Sequence, residues 1–256
     1  MEVRTRQRGG MVGWALVPWI ALIGIGCGAQ RVRLDGVSEC PEDVPSRPPD
    51  PPSYQDLACI VVAAREAPSL TAAQHRVVAR AASDLAAGET DTSRAEALAD
   101  EGLEHARKAL TQEDHPVSHY YVGMLWGLAI ARRPLAALKA LPSIEHHLRL
   151  AAQGTPDEDA GGPLRVLGML YVKAPAWPQG IGDTDKGLEL LEQAVVTHPE
   201  HPLNLLFLAQ ALRDNEAEGW EQRVPDLVRQ AQELLERRDF GWPARRWRRE
   251  LESLAH

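Results

Sequence analysis

Histidine and cysteine are the residues of this chain with the most chemistry to offer, and their spacing decides how much of it is used. His115 and His119 stand four apart, the spacing at which two imidazoles on one helix face hold a metal ion. Pro116, however, puts His115 at a helix start, where it flanks or caps the first turn. His146 and His147 are adjacent and point to different helix faces, so they do not clamp one ion. Cys40 and Cys59 lack the CxxC spacing of a redox site. There is no HExxH, no Gly-x-Ser-x-Gly and no glycine loop for phosphate. The expectation is a protein that binds rather than catalyses, with no metal and no cofactor.

The third cysteine, Cys27, carries a different chemistry. Arg4, Arg6 and Arg8 precede an apolar run from Val12 to Gly26, the charged and apolar parts of a secretory signal. The run ends Leu22-Ile23-Gly24-Ile25-Gly26-Cys27. A small residue just before the cysteine resembles the bacterial lipobox, where signal peptidase II cuts and the thiol is lipidated. Gly24 stands where the lipobox prefers leucine. An uncleaved anchor and a cleaved, unlipidated signal are the competing readings. Pro18 and two late glycines weaken the run as a span, which needs ~20 apolar residues. Residues 1–26 are therefore read as a lipoprotein signal peptide and Cys27 as the lipidated residue. The body then lies outside the cytoplasm. Gly28, rather than an aspartate, points to the outer membrane.

The chain has 256 residues and a formal net charge of −8. An acidic body lacks the basic surface that releases counterions from nucleic acid. After the signal, no apolar stretch is long enough to cross a bilayer. In an oxidising compartment Cys40 and Cys59 either form a disulfide or remain a free and a buried thiol.

Pro41, Pro45, Pro48, Pro49, Pro51 and Pro52 make residues 27–53 read as a semi-rigid tether. From Tyr54 onward Ala, Leu, Glu, Gln and Arg dominate, and no long segment alternates with period two. The breakers divide residues 54–256 into helices near 54–67, 71–87, 92–111, 116–132, 134–153, 163–173, 184–197, 202–214, 223–237 and 243–254. Position-specific small residues recur. Leu164, Leu167, Gly168 and Tyr171 match the first helix of a tetratricopeptide repeat; Gly187, Leu191, Ala194 and Pro199 match the second. Leu205, Leu208, Ala209 and Leu212, then Val224, Val228 and Ala231, repeat the theme. The expected fold is all-α, a divergent array of tetratricopeptide-like helical hairpins.

The stretch from Gly162 to Val195, with Leu-Gly-Met-Leu-Tyr at its start and Gly-Asp-Thr-Asp-Lys-Gly-Leu at its turn, is similar to the T-component family of tripartite ATP-independent periplasmic (TRAP) transporters. Tyr120–Gly127 and Leu138–Glu145 share the likeness, which covers roughly residues 93–235. The resemblance implies a lipid-anchored ligand-binding helper. Such a protein touches a periplasmic solute-binding protein and oligomerises around an apolar cavity. A general protein-interaction scaffold in the envelope is the alternative.

Candidate binding residues are Tyr120, Tyr121, Met124, Tyr171 and Trp177, because aromatic side chains are scarce at 5% of the chain and gather here. Repeat core is the competing reading for each. Trp126, beside Gly127 at a supposed tight crossing, is expected in the core. The Lys173–Asp183 connection is expected to pack Trp177 on itself or present it as the lip of a groove, with Asp183 as an N-cap. Trp247, Leu251 and Leu254 are spaced to seal the last repeat and leave the terminal arginines in water.

Overall fold

The computed structural model describes residues 31–255. The signal peptide and Cys27 lie outside the described residues. Within them the chain forms ten helices: α1 Tyr54–Glu66, α2 Ala72–Gly88, α3 Thr92–Gln112, α4 Pro116–Ile130, α5 Pro134–Gly154, α6 Gly162–Lys173, α7 Thr184–Thr197, α8 Pro202–Asp214, α9 Trp220–Arg237 and α10 Ala244–Leu254. The all-α repeat fold expected from the sequence is the fold observed.

Local chemistry explains where the helices begin. Ser53 with Asp56 and Thr71 with Gln74 form capping boxes at α1 and α2, each satisfying two otherwise free amides. Asp91 and Asp183 cap α3 and α7 through their carboxylates. Pro116, Pro134 and Pro202 open α4, α5 and α8, where a missing N–H costs nothing. Pro225, which reads as a helix breaker, lies inside α9.

Sequential helices pack as antiparallel hairpins, and a second set of contacts joins every other helix. α2 meets α4, α4 meets α6, α6 meets α8, α8 meets α10, and α10 returns to α2. The even-numbered helices thus form an inner ring that closes on itself. Trp242, just before α10, makes the closure: its ring lies 4.7 Å from Tyr54, its Nε1 donates to the Leu85 carbonyl at 3.2 Å, and its amide donates to the Pro52 carbonyl at 2.8 Å. Gly88 leaves room for the indole, since a Cβ there would meet Trp242 Nε1 at 2.2 Å.

The repeat glycines behave as close-approach points. A Cβ on Gly168 would lie 2.9 Å from the Gly187 carbonyl oxygen, so α6 and α7 cross there backbone to backbone. Gly127 does not: nothing lies within 4 Å of its Cβ position. The tight crossing of α4 on α5 is instead at Gly123, against Leu148. Trp126 is half-buried, with the Arg107 guanidinium 4.8 Å above its ring. Trp247, Leu251 and Leu254 are buried and the neighbouring arginines exposed, so α10 seals the last repeat as its spacing implies.

From residue 31 on, the proline-rich segment does not stand off as a tether. Val32 and Val44 are buried in the core formed by α1 and α2. Arg65 donates to the Val32 carbonyl at 2.9 Å and Gln55 to the Ser38 carbonyl at 2.6 Å. A Cys40–Cys59 disulfide fastens the segment to α1. Proline fixes an extended backbone, but two valines and a covalent bond give that backbone a surface to lie on.

Candidate ligand cavity

The inner ring lines a cavity of about 1030 Å³ that opens to solvent. α2, α4, α6 and α8 supply Met124, Leu128, Val166, Met169, Leu170, Leu203 and Phe207 to its walls, with Ile144 and Leu148 from α5 and Trp247 from α10. Gly123 and Gly127 keep the α4 side open. Apolar side chains alternate with many charged ones, among them Arg80, Asp84, Glu96, Arg132, Lys173 and Arg246.

One group of polar residues gathers around the α5–α6 connection, which brings Asp159 and Ala160 to the wall. Asp159, Ala160 and Gly161 have φ values of 51°, 49° and 83°. Two consecutive non-glycine residues in the left-handed region are costly, and such strain persists only where the surroundings impose it. Here the surroundings are hydrogen bonds. Tyr120 donates to the Asp159 carboxylate at 2.7 Å and Tyr121 to Glu158 at 3.0 Å. Arg165, only 1% exposed, donates to the same Asp159 carboxylate at 2.6 Å and to Asn204 Oδ1 at 2.6 Å. Asn204 in turn donates to the carbonyls of Ala160, Ala194 and His198. A buried guanidinium needs a charge partner and hydrogen bonds, and Asp159 and Asn204 supply them to its two terminal nitrogens.

Electrostatics follow from this crowding. Burial works to raise the Asp159 carboxyl, but the Arg165 guanidinium, His201, the Tyr120 hydroxyl and Arg80 together hold the group below the usual carboxylate range. Asp84 goes the other way. Burial, then the negative charges of Asp159 and Glu158, push it up to about 7 against the pull of Arg80. Its side chain is 21% exposed, and that exposure is to the cavity it lines. Burial and the nearby Arg165 lower His201 to about 3, so its imidazole is neutral.

The five candidate residues separate in space. Met124 lines the cavity. Tyr120 and Tyr121 are buried behind its wall, their rings in the core and their hydroxyls in the acidic network. Tyr171 is buried elsewhere. Its hydroxyl donates to Glu145 at 2.6 Å and accepts from Lys186 at 2.7 Å. Trp177 is 85% exposed, so the Lys173–Asp183 connection does not pack it on itself. The loop is nonetheless tight. Its Gly182 amide donates to the Pro175 carbonyl at 2.8 Å, and a Cβ on Gly180 would strike that same oxygen. Asp183 caps α7 as expected.

Sequence reasoning missed Arg80, Asp84, Glu158, Asp159, Arg165, His201 and Asn204. They come from three helices, a loop and a helix cap, and no short spacing connects them. Arg165 carried the one available signal: it follows Gly161 and Gly162 onto an otherwise apolar first turn of α6. His115 accepts from the Val117 amide at 3.2 Å and is a cap. His119 instead meets His147, Nδ1 to Nδ1, at 2.6 Å. Among the described residues there is no cluster of three or more potential metal ligands, and no helix long and apolar enough to cross a membrane.

No protein-family model matches this chain, and no curated protein matches it.

Proposed function

We propose that this is a lipid-anchored, non-enzymatic envelope protein that holds a ligand in its central cavity, in the manner implied by its resemblance to the T-component of TRAP transporters. Cys27 carries the anchor, and the outer membrane is the proposed location. The proposed partner is a periplasmic solute-binding protein, and a homo-oligomer is compatible with the reading. The observation that carries it is the large cavity at the centre of the ring of even-numbered helices, with an apolar wall that includes Met124, Leu128, Met169, Leu170 and Phe207.

A second reading, a scaffold for other envelope proteins, draws on Trp177. A rigid loop that holds an indole 85% exposed resembles an interface anchor, since tryptophan gives large contact area with few rotors to freeze.

The test is fractionation followed by a pull-down from detergent-solubilised membranes. Wild type is expected with the membranes, and Cys27→Ser released or unprocessed. A fully processed Cys27→Ser chain still on the membrane contradicts the anchor. Recovery of a solute-binding protein supports the transport reading; recovery of assembly factors, lost in Trp177→Ala, supports the scaffold.

A further inference from the structure

The start of α5 has no neighbour on its α6 side. The two helices run antiparallel, and Tyr171 on α6 donates to Glu145 on α5 at 2.6 Å. α6 ends just beyond, at Lys173, whereas α5 begins at Pro134, so about two turns of α5 project past the end of α6. Leu135, Leu138, Pro142 and Glu145 fall at i, i+3, i+7 and i+10, on one side of the helix. Where α6 covers that side, Glu145 has its partner. Where it does not, Leu135 is 77% and Leu138 40% exposed, and Pro142 is exposed as well. The chain leaves α6 at this same level and enters the connection that carries Trp177. Among the described residues, three of the five large exposed hydrophobic side chains therefore gather at this end: Leu135, Leu138 and Trp177.

Charge narrows what covers the stripe. From Pro116 to Ile144 there is no aspartate or glutamate, while Arg132, Arg133 and Lys139 all fall there, in a chain of net charge −8. Arg132 and Arg133 pair with Glu96 and Asp100 on α3. Lys139, one turn after Leu135, is exposed and has no ion partner among the described residues. Leucines one turn apart, an exposed indole and a basic rim fit an amphipathic helix whose own rim is acidic. A lipid surface would also take leucine, tryptophan and lysine, but the path of the chain argues against it. Arg31 acts on Glu104, and the two line one pocket on the outer side of α3. Asp35 then reaches Arg94 at 3.9 Å, so the segment runs toward the start of α3, where Arg132 meets Ser93 and Glu96. Ser93 to Glu104 is about 17 Å of helix. Cys27, four residues before Arg31, extends at most ~14 Å from it. A membrane that holds Cys27 lies toward the far end of α3, and the stripe is turned away from it.

We propose that the uncovered start of α5 and Trp177 form one docking face for an acidic amphipathic helix of a partner protein. The helix lies where α6 would lie if it were longer. Leu135, Leu138 and Pro142 meet its apolar side, Trp177 anchors one end, and Lys139 meets its carboxylates. This rests on the reading of Cys27 as the membrane anchor, which gives the face its direction, and on that of Trp177 as an interface anchor, to which it adds a groove and a charge preference.

Site-specific photocrosslinking of the full-length chain in its own cells tests this. A benzophenone amino acid replaces Leu135, Trp177 or Val196, one at a time. Val196, near the end of α7, is the control, since it is 78% exposed but lies at the opposite end of the α6–α7 hairpin. The expected result is one and the same protein adduct from Leu135 and Trp177 and none from Val196. The crosslinked peptide of the partner should carry Asp or Glu within one helical turn of an apolar residue. Lys139→Glu should cut the adduct about fivefold at unchanged melting temperature, and Lys139→Arg should keep it, as a rim charge facing carboxylates implies. A lipid adduct at Leu135 overturns the proposal in favour of a membrane surface, and an adduct of twice the chain's mass in favour of a second copy. No adduct, equal adducts at Val196, or a yield indifferent to Lys139→Glu also overturns it. An adduct from Trp177 alone overturns the groove but leaves Trp177 as an interface anchor. The intact mass of the chain reports separately whether Cys27 carries lipid, so failure of the anchor and failure of the docking face are distinct results.

Discussion

The indole of Trp242 packs 4.7 Å from the ring of Tyr54 and donates its Nε1 proton to the Leu85 carbonyl. One side chain thereby joins the last repeat to the first two helices. A solenoid that would otherwise end in an open groove closes into a ring.

Removing that side chain should open the ring. Trp242→Ala is expected to lower stability by ~3 kcal/mol, the low end for deleting a large aromatic, because Trp242 is half-buried. Hydrogen exchange should rise in α2 and α10 and stay unchanged in α6 and α7. Uniform loss of protection would mean that the indole supports the whole core rather than a seam.

Two glycines separate close approach from open space. Gly168→Ala places a methyl 2.9 Å from the Gly187 carbonyl, and overpacking of this kind costs ~1–3 kcal/mol. Gly127→Ala meets nothing within 4 Å, and the gain in helix propensity should stabilise by ~0.5–1 kcal/mol. Urea midpoints measure both. Equal effects at the two positions contradict the crossing geometry.

Stability should fall with acid below neutrality. His75 and His105 face each other Nδ1 to Nδ1 at 2.9 Å, as His119 and His147 do at 2.6 Å. Each contact needs one bare and one protonated nitrogen, so neither pair tolerates two charges. Burial lowers His75; burial, then His75, lowers His105 to about 4; burial, then His119, lowers His147 to about 4. These folded values lie below the ~6.5 of an unfolded histidine, so the unfolded chain binds more protons in between. The stabilisation is complete above that value and is lost as pH falls through it toward 4. The melting temperature at pH 4.5 should be below that at pH 7.5, and His105→Gln should reduce the slope. A slope unchanged in that variant contradicts the assignment.

The Cys40–Cys59 bond closes a loop with a sequence separation of 19. Reduction, or Cys40→Ser, should cost ~3 kcal/mol on the chain-entropy estimate. Val32 and Val44 would then be held by packing alone, and limited proteolysis should cut first between residues 31 and 52. Resistance equal to that of the oxidised protein would show that the valines suffice.

Much of the fold was legible because local signals agreed. Capping residues, N1 prolines and the recurring glycines placed the helices to within a few residues, and the Gly168–Gly187 crossing followed from the repeat pattern. Ring closure was not legible. It depends on Trp242 meeting Tyr54 and Leu85, which lie far away in sequence and carry no shared period. The aromatic cluster pointed to the right region for a partial reason. Tyr120 and Tyr121 do not line the cavity, but their hydroxyls hold the acidic loop that does. Trp177 is exposed although its bulk argues for burial. The Asp159–Arg165–Asn204 network joins residues from a loop and two helices, a juxtaposition that only the tertiary fold creates.

Native mass spectrometry of the full-length protein purified from its own membranes tests the central claim most directly. A Gly127→Phe variant, whose side chain projects into open cavity space, serves as the comparison. The expected result is a small non-protein mass that stays with the wild-type chain and is absent from Gly127→Phe at an undiminished melting temperature. A wild-type chain that carries no ligand, or a ligand retained in full by Gly127→Phe, contradicts a binding site at the centre of the ring.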